Sequence, residues 1–295
     1  MPPRVVVVGD LIFDMLARTE GEVAFGTDTF APIRAAAGGS GANTAAWLAS
    51  SGVETHFVGR VGDDVFGEAL AGELKEIGVV AHLVRDPSLA TGKVFVLVDG
   101  AGERTMITDR GAGEALAPED LPEALLSRGH LHLSGYTFSG DSRRETALRA
   151  LRLAREAGMS TSVDPSSVPM LEVVGPQRFL SWTRGVDLCF PNLEEGVLLT
   201  GSSDPEDVAR ELLSFYSGVV LKLGAGGALY AGASGEKIRL SAAPARVVDT
   251  TGAGDALCAG FLASRLSGAP PGEALRGGVE LAARAVERVG GRPGI

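Results

Sequence analysis

The sequence predicts an α/β fold: a central, mostly parallel sheet flanked by helices, with a small β-sheet lid beside it. Three observations carry that expectation. Short β-branched runs alternate along the chain with helix-like segments, and such alternation is what right-handed βαβ units require. The first of these runs, Val5-Val6-Val7-Val8, is apolar throughout and ends on Gly9-Asp10, the pattern of a strand covered on both faces. Residues 11–37 and 91–109 are β-rich without intervening helices, which sets them apart as a second sheet with one face to cover.

In chain order, the strand at 5–8 is followed by an Ala-rich helix over 38–51, opened by a cluster of small residues and stopped before Gly52. A strand at 55–58 and a helix at 66–76 ending at Gly78 come next. Then follow a strand at 131–133, a helix at 144–157 and strands at 161–163 and 186–190. Late in the chain a strand at 219–223 runs into a glycine loop. The helix at 256–266 sets Leu257/Phe261 and Cys258/Leu262 four residues apart, on one face. Inside the second sheet, Asp99-Gly100-Ala101-Gly102 lies between apolar runs like a hairpin loop. The expected division is a large unit of residues 1–10, 38–90 and 110–295, and a lid of 11–37 and 91–109.

Composition narrows the function. With 295 residues, 45% of them hydrophobic, the chain can bury a full core. A formal charge of -10 excludes a surface built to bind a phosphate backbone, so no nucleic acid partner is expected. Cys189 and Cys258 sit in apolar company and supply neither a disulfide framework nor a four-ligand zinc site. The apolar run after Arg4 is too short for a signal-peptide core or a membrane span. A cytoplasmic protein without a membrane partner is the expectation.

The densest chemical signal is Asp249-Thr250-Thr251-Gly252-Ala253-Gly254-Asp255, followed at once by a helix. Small residues let a backbone press against a ligand, and a helix N-terminus offers unpaired amides in a positive field, so an anion is the expected occupant. A carboxylate there either caps the helix or has a chemical task. Phosphoryl transfer to an alcohol needs a base at the attacking hydroxyl and donors around the transferred group, and this loop can supply both. No Gly-x-x-x-x-Gly-Lys-[Ser/Thr] run occurs, and Gly252-Ala253-Gly254 lacks the third glycine of a dinucleotide fingerprint.

Several motifs, in order, resemble the ribokinase/PfkB family of carbohydrate kinases almost end to end. Residues 249–261 (DTTGAGDALCAGF) match its C-terminal signature; residues 38–52 (GGSGANTAAWLASSG) with 58–67 (VGRVGDDVFG) resemble the N-terminal one. The resemblance implies a ribokinase-like fold and ATP-dependent phosphorylation of a hydroxyl on a small sugar or sugar-like molecule. It makes Asp255 the base and the amides of Gly252, Ala253, Gly254 and Asp255 an anion hole. Pro191-Asn192-Leu193-Glu194-Glu195 fits the family's Asn-x-x-Glu element, which implies that Asn192 and Glu195 hold Mg2+ through water. Lys222, Gly224 and Gly227, in Leu221–Ala228, resemble its nucleotide-side strand and loop. Asp249 resembles the position that helps bind K+ in many members.

On the substrate side Asp14, in Gly9-Asp10-Leu11-Ile12-Phe13-Asp14, resembles the acid that pairs with sugar hydroxyls, with Asn43 and the backbone at Gly39 completing the site. The bland alternatives are a helix cap for Asn43 and a turn for Gly38-Gly39. Members acting on fructose or ketodeoxy sugar acids commonly carry Asp-x-Asn-x-Arg where this chain has Asp164-Pro165-Ser166-Ser167-Val168. The missing guanidinium points to a neutral polyol, although Arg104 and Arg110 are within reach of an anion if the lid folds over. A nucleoside is the alternative substrate, stacked on Phe13, Phe95 or Tyr136; a noncatalytic sugar or nucleotide sensor is the alternative of another class. A homodimer through the lid is expected, because the lid leaves edges and an apolar face.

Overall fold

The computed structural model describes residues 3–19, 21–24, 26–100 and 104–294. Strand β1 (Arg4–Val8) is followed by β2 (Ile12–Arg18), β3 (Ile33–Gly38), helix α1 (Ser40–Ser50), β4 (Glu54–Gly62), α2 (Val65–Ile77) and β5 (Val80–Asp86). Next come β6 (Thr91–Val98), β7 (Arg104–Gly111), β8 (His130–Ser134), α3 (Asp141–Glu156), β9 (Ser160–Asp164), α4 (Val168–Val174) and α5 (Pro176–Thr183). The last third holds β10 (Leu188–Cys189), α6 (Leu193–Thr200), α7 (Pro205–Leu212), β11 (Gly218–Lys222), β12 (Ala228–Gly232), β13 (Lys237–Leu240), α8 (Ala253–Leu266) and α9 (Pro271–Val286).

Nine strands form one sheet in the order β13-β12-β11-β10-β9-β8-β1-β4-β5, and four form a second in the order β3-β2-β6-β7. In the large sheet every pairing from β11 to β5 is parallel, and only β12 and β13 join antiparallel. The valine run explains how the sheet is covered. Side chains alternate across a strand, so Val6 and Val8 pack with Leu131, Leu133 and Phe138 on one face. Val5 and Val7 pack with Leu48, Phe57 and Phe261 on the other.

The small sheet follows the same period-2 rule. Ile12, Asp14 and Leu16 of β2, Val94 and Val96 of β6, and Met106, Thr108 and Arg110 of β7 all face the cleft between the two sheets. The intervening residues face outward, where Phe95 and Ile107 remain 39% and 66% exposed. This sheet takes in Gly38 and Arg110–Gly111 at its ends. Ala101 and Gly102 of the expected hairpin loop lie outside the described residues, as does the Arg104 side chain.

Several expected boundaries shift: the helix expected at 144–157 spans Asp141–Glu156, and the strand expected at 55–58 spans Glu54–Gly62. The strand expected at 186–190 is paired only over Leu188–Cys189, and Pro191, which has no N–H, follows Phe190. The helix expected from 256 begins at Ala253, and the one expected from 38 begins at Ser40 because Gly38 still belongs to β3.

Candidate active site

The cleft lies over the C-terminal ends of the parallel strands, where open α/β sheets gather their ligand-binding groups. It encloses about 730 Å3 between the lid's inner face, the N-termini of α1 and α8, and the turn after β11. Asp14, Gly39, Asn43, Asn192, Glu195, Lys222, Gly224, Gly227 and the loop Gly252–Asp255 all line it. Asp249 does not. Its buried carboxylate accepts from Thr251 N (2.9 Å), Thr251 Oγ1 (2.7 Å) and Gly290 N (3.1 Å), which closes the loop from behind.

The loop expected to hold an anion turns at Gly252, the N-cap of α8, whose φ of 74° is left-handed and suits glycine. A Cβ there would come within 2.4 Å of the Gly291 carbonyl oxygen. The loop therefore needs glycine on two counts. Amides of a first helical turn have no partner within the helix; of this group, Ala253 N reaches the Thr250 carbonyl at 3.3 Å.

Asp255 stands in the first turn of α8 but caps nothing there. Its Oδ1 accepts from Ser40 Oγ at 2.8 Å and its Oδ2 from Asn43 Nδ2 at 2.9 Å. Ser40 and Asn43 are three residues apart on α1, hence on one face. Neither Asp255 nor Asn43 makes a helix-cap hydrogen bond, α1 having Gly39 as its N-cap. Burial, reinforced by the charge of Asp164, pushes the Asp255 carboxyl up to about 7; the bonds from Asn43 and Ser40 and the charge of Lys222 oppose that rise.

Toward the other end, Lys222 closes β11 and its Nζ meets Asp164 Oδ2, at the end of β9, at 2.6 Å. Burial works against the lysine's charge, yet Asp164 and Glu195 together raise its pKa above the ordinary value. Asn192 is the N-cap of α6: its Oδ1 accepts from Glu195 N (2.8 Å), while Glu195 accepts from Asn192 N (2.9 Å) and Nδ2 (2.8 Å). Glu195 is not a solvated surface acid. It is 1% exposed, and burial, with Asp164 adding, pushes its carboxyl up to about 7.

At the lid end, Asp14 fits against Gly38, where a Cβ would lie 2.2 Å from its Oδ2. Burial raises the Asp14 carboxyl to about 6, with Arg292 lowering it and Asp10 raising it further. Asp10, read in the sequence only as the end of a strand, accepts from Ser40 N and Gly41 N (3.2 Å each) and from Ser134 Oγ (3.1 Å), and so fixes the start of α1. Arg110 lies over the Tyr136 ring at 4.1 Å and lines the cleft. Of the other aromatics, Phe13 packs on Phe66 with ring centroids 4.7 Å apart, and Phe95 faces outward. Ser40, Asp164 and Arg292 were not singled out in the sequence as site residues. Ser40 lies inside the glycine cluster that opens α1 and Asp164 heads the Asp-Pro-Ser-Ser-Val element, so only Arg292 had no local signal.

A family model described as pfkB family carbohydrate kinase matches residues 2–295. The chain belongs to that family. Its chemistry is accordingly phosphoryl transfer to an alcohol group. The chain is 31% identical over 281 residues to a fructokinase of Salmonella typhimurium, covering 92% of this chain and 87% of that protein. An adenosine kinase from Sinorhizobium meliloti superposes with a TM-score of 0.90 at 27% identity, over 100% of this chain and 97% of that one. A candidate Ribokinase II from E. coli, solved in complex with ATP and Mg2+, superposes with a TM-score of 0.88 at 25% identity, over 99% and 94% of the two chains. The fold is thus ribokinase-like, a mostly parallel sheet with a smaller second sheet. Among the described residues no helix is long and apolar enough to cross a membrane.

Proposed function

We propose that this carbohydrate kinase transfers the γ-phosphate of ATP to a hydroxyl of a small neutral sugar or sugar-like polyol, with Asp255 as the general base. The observation that carries this reading is the Asp255 carboxylate itself. It lies in the cleft where the anion loop meets α1, it makes no helix cap, and its pKa of about 7 suits a group that must accept a proton near neutrality. In the reaction Asp255 takes the proton of the attacking hydroxyl. The hydroxyl oxygen bonds to the γ-phosphorus, the bond to the β–γ bridging oxygen breaks, and ADP leaves. The loop amides of Gly252, Ala253, Gly254 and Asp255 hold the charge on the transferring group.

Nucleotide binding falls to the opposite end of the cleft. There Ala242, Val247, Ala283 and Val286 join Gly224 and Gly227 in lining the cleft, an apolar stretch suited to a flat base. Lys222 faces the phosphates. Two buried carboxylates, Asp164 and Glu195, crowd this one lysine. That donor set fits magnesium held through water by Asn192 and Glu195, since magnesium prefers hard oxygen ligands and retains water. When bound, the ion neutralises phosphate charge. Potassium fits less well, because Asp249 does not line the cleft and its carboxylate ties Thr251 to Gly290, and no step is routed through it.

Asp14, Asn43 and the backbone at Gly39 bind the sugar hydroxyls in this reading. A sugar is favoured over a nucleoside by the aromatics. Phe13 and Phe95 turn away from the cleft, and Arg110 already covers the ring of Tyr136. Against a noncatalytic sensor stands the placing of acid, lysine and glycine turn in one cleft, which mere binding does not require. We place the protein in the cytoplasm, where reduced thiols such as buried Cys189 and Cys258 persist.

The test is a thermal-shift screen of pentoses, hexoses, inositols and nucleosides, followed by ADP release from ATP and Mg2+ with each ligand that binds. ADP formed in step with a phosphorylated neutral sugar supports the proposal. Binding without ADP across the panel establishes a sensor, and turnover confined to nucleosides overturns the choice of substrate.

A further inference from the structure

Arg292 carries a buried charge with no part in the reaction described so far. It lies in the segment that follows α9, and is only 6% exposed. Its Nε donates to Asn43 Oδ1 at 3.1 Å and its Nη2 to the Gly38 carbonyl at 2.7 Å, while Nη1 faces Glu73 at 3.5 Å. The far end of the same Asn43 amide, Nδ2, donates to Asp255 Oδ2 at 2.9 Å. An asparagine amide has an acceptor at one end and donors at the other, and the two ends are almost equal in shape. A guanidinium has donors only. It therefore selects between the two orientations of Asn43.

We infer that Arg292 is a positioning residue: by donating to Asn43 Oδ1 it turns Nδ2 onto Asp255 and keeps that carboxylate a proton acceptor. Without the guanidinium, the amide is free to turn over and offer Oδ1 to Asp255. The partner that suits Oδ1 is the protonated acid, so the base is silenced. The orientation of Asn43 is a claim about geometry alone; its consequence for turnover rests on the reading of Asp255 as the base.

Asp255 has other titratable and charged neighbours on the elements packed around it, and of these Asp10 and Asp14 also feel the charge of Arg292 directly. Asp164 closes β9, Lys222 closes β11, and Ser40 bonds Asp255 from α1; Asp10 holds the start of α1, and Asp14 comes from the lid. The segment that carries Arg292 also has anchors of its own. Trp47 Nε1 donates to the Gly291 carbonyl at 2.9 Å, and Gly290 N donates to Asp249 Oδ2 at 3.1 Å. Loss of the guanidinium is therefore separable from loss of the segment.

The experiment is a carboxyl 13C titration of Asp255 in the full chain without ligand, the signal being assigned with Asp255→Asn. Arg292→Met is expected to raise the midpoint by about one pH unit, a tenfold change in proton affinity. Arg292→Lys, which keeps a donor and the charge, is expected to show only part of that shift. Trp47→Phe, which loosens the segment but leaves the guanidinium, is expected to leave the midpoint unchanged. In an Asn43→Ala background, Arg292→Met should add nothing, because the amide through which it acts is gone. An unmoved midpoint in Arg292→Met overturns the inference, as does an equal shift in Trp47→Phe or a full shift that persists in the Asn43→Ala background. If Arg292→Met does not fold, the Arg292→Lys and Asn43→Ala/Arg292→Lys pair decides: a shift present in the first and absent over Asn43→Ala supports the inference, and any other pattern overturns it. If the NMR midpoint moves while the pH profile of kcat does not, the orientation of Asn43 stands and Asp255 is not the base.

Discussion

Asp255 shows how opposed local effects set one side chain's protonation. Burial and the neighbouring charge of Asp164 favour its neutral form, while Asn43, Ser40 and Lys222 favour the carboxylate, leaving a pKa of about 7. A base works only when deprotonated. Turnover is therefore expected to rise with pH through about 7 and to fall roughly tenfold per unit below it. Measuring kcat from pH 5.5 to 9 with saturating ATP, Mg2+ and sugar checks this, and a flat profile rules Asp255 out as the titrating base. The acid itself stood out in the sequence because it closes a glycine run at a helix start. Asn43 stood out too, but as a sugar-binding residue and not as the partner of Asp255. Asn43 lies 212 positions away, and the Asn43–Arg292 bond spans 249; no local periodicity marks such a pair, because only the closed fold joins them.

Among the elements, the meeting of the anion loop with α1 and with the segment after α9 controls the site. At Gly252 the loop meets that last segment, through the residue's left-handed φ and its approach to Gly291. Gly252→Ala is expected to lower kcat at least about tenfold, because the loop must shift while the amides need sub-ångström placement. Circular dichroism and steady-state kinetics on the same sample check this, and unchanged kinetics in the folded variant show that the loop tolerates a Cβ. Helix positions were largely legible from glycine punctuation: Gly52 and Gly78 close α1 and α2 much as expected. The start of α8 was less so. Gly252 and Gly254 lower helix propensity where the helix begins, which hides its first turn from a propensity reading. In β10, a five-residue segment that is apolar except for Asp187 gives only a two-residue ladder, since hydrophobicity reports burial and not pairing.

For the molecule as a whole, the class of fold was legible because strand and helix alternate, and because one valine run has to be covered on two faces. The direction in which the lid faces was not, until the period-2 pattern of β2, β6 and β7 could be set against the cleft. Its outer face leaves Phe95 and Ile107 exposed, and we propose that a second copy covers it. Sedimentation velocity at micromolar concentration should show a dimer that Ile107→Asp dissociates; a monomeric wild-type protein refutes this. In the proposed reaction, α1, the start of α8 and the last segment of the chain bring one carboxylate to the point where sugar and phosphate meet. The most direct check is single-turnover phosphoryl transfer by Asp255→Asn, with nucleotide affinity measured in parallel. Transfer slowed at least about a hundredfold with ATP binding intact is the expected outcome; near-normal transfer in that variant removes Asp255 from the chemistry.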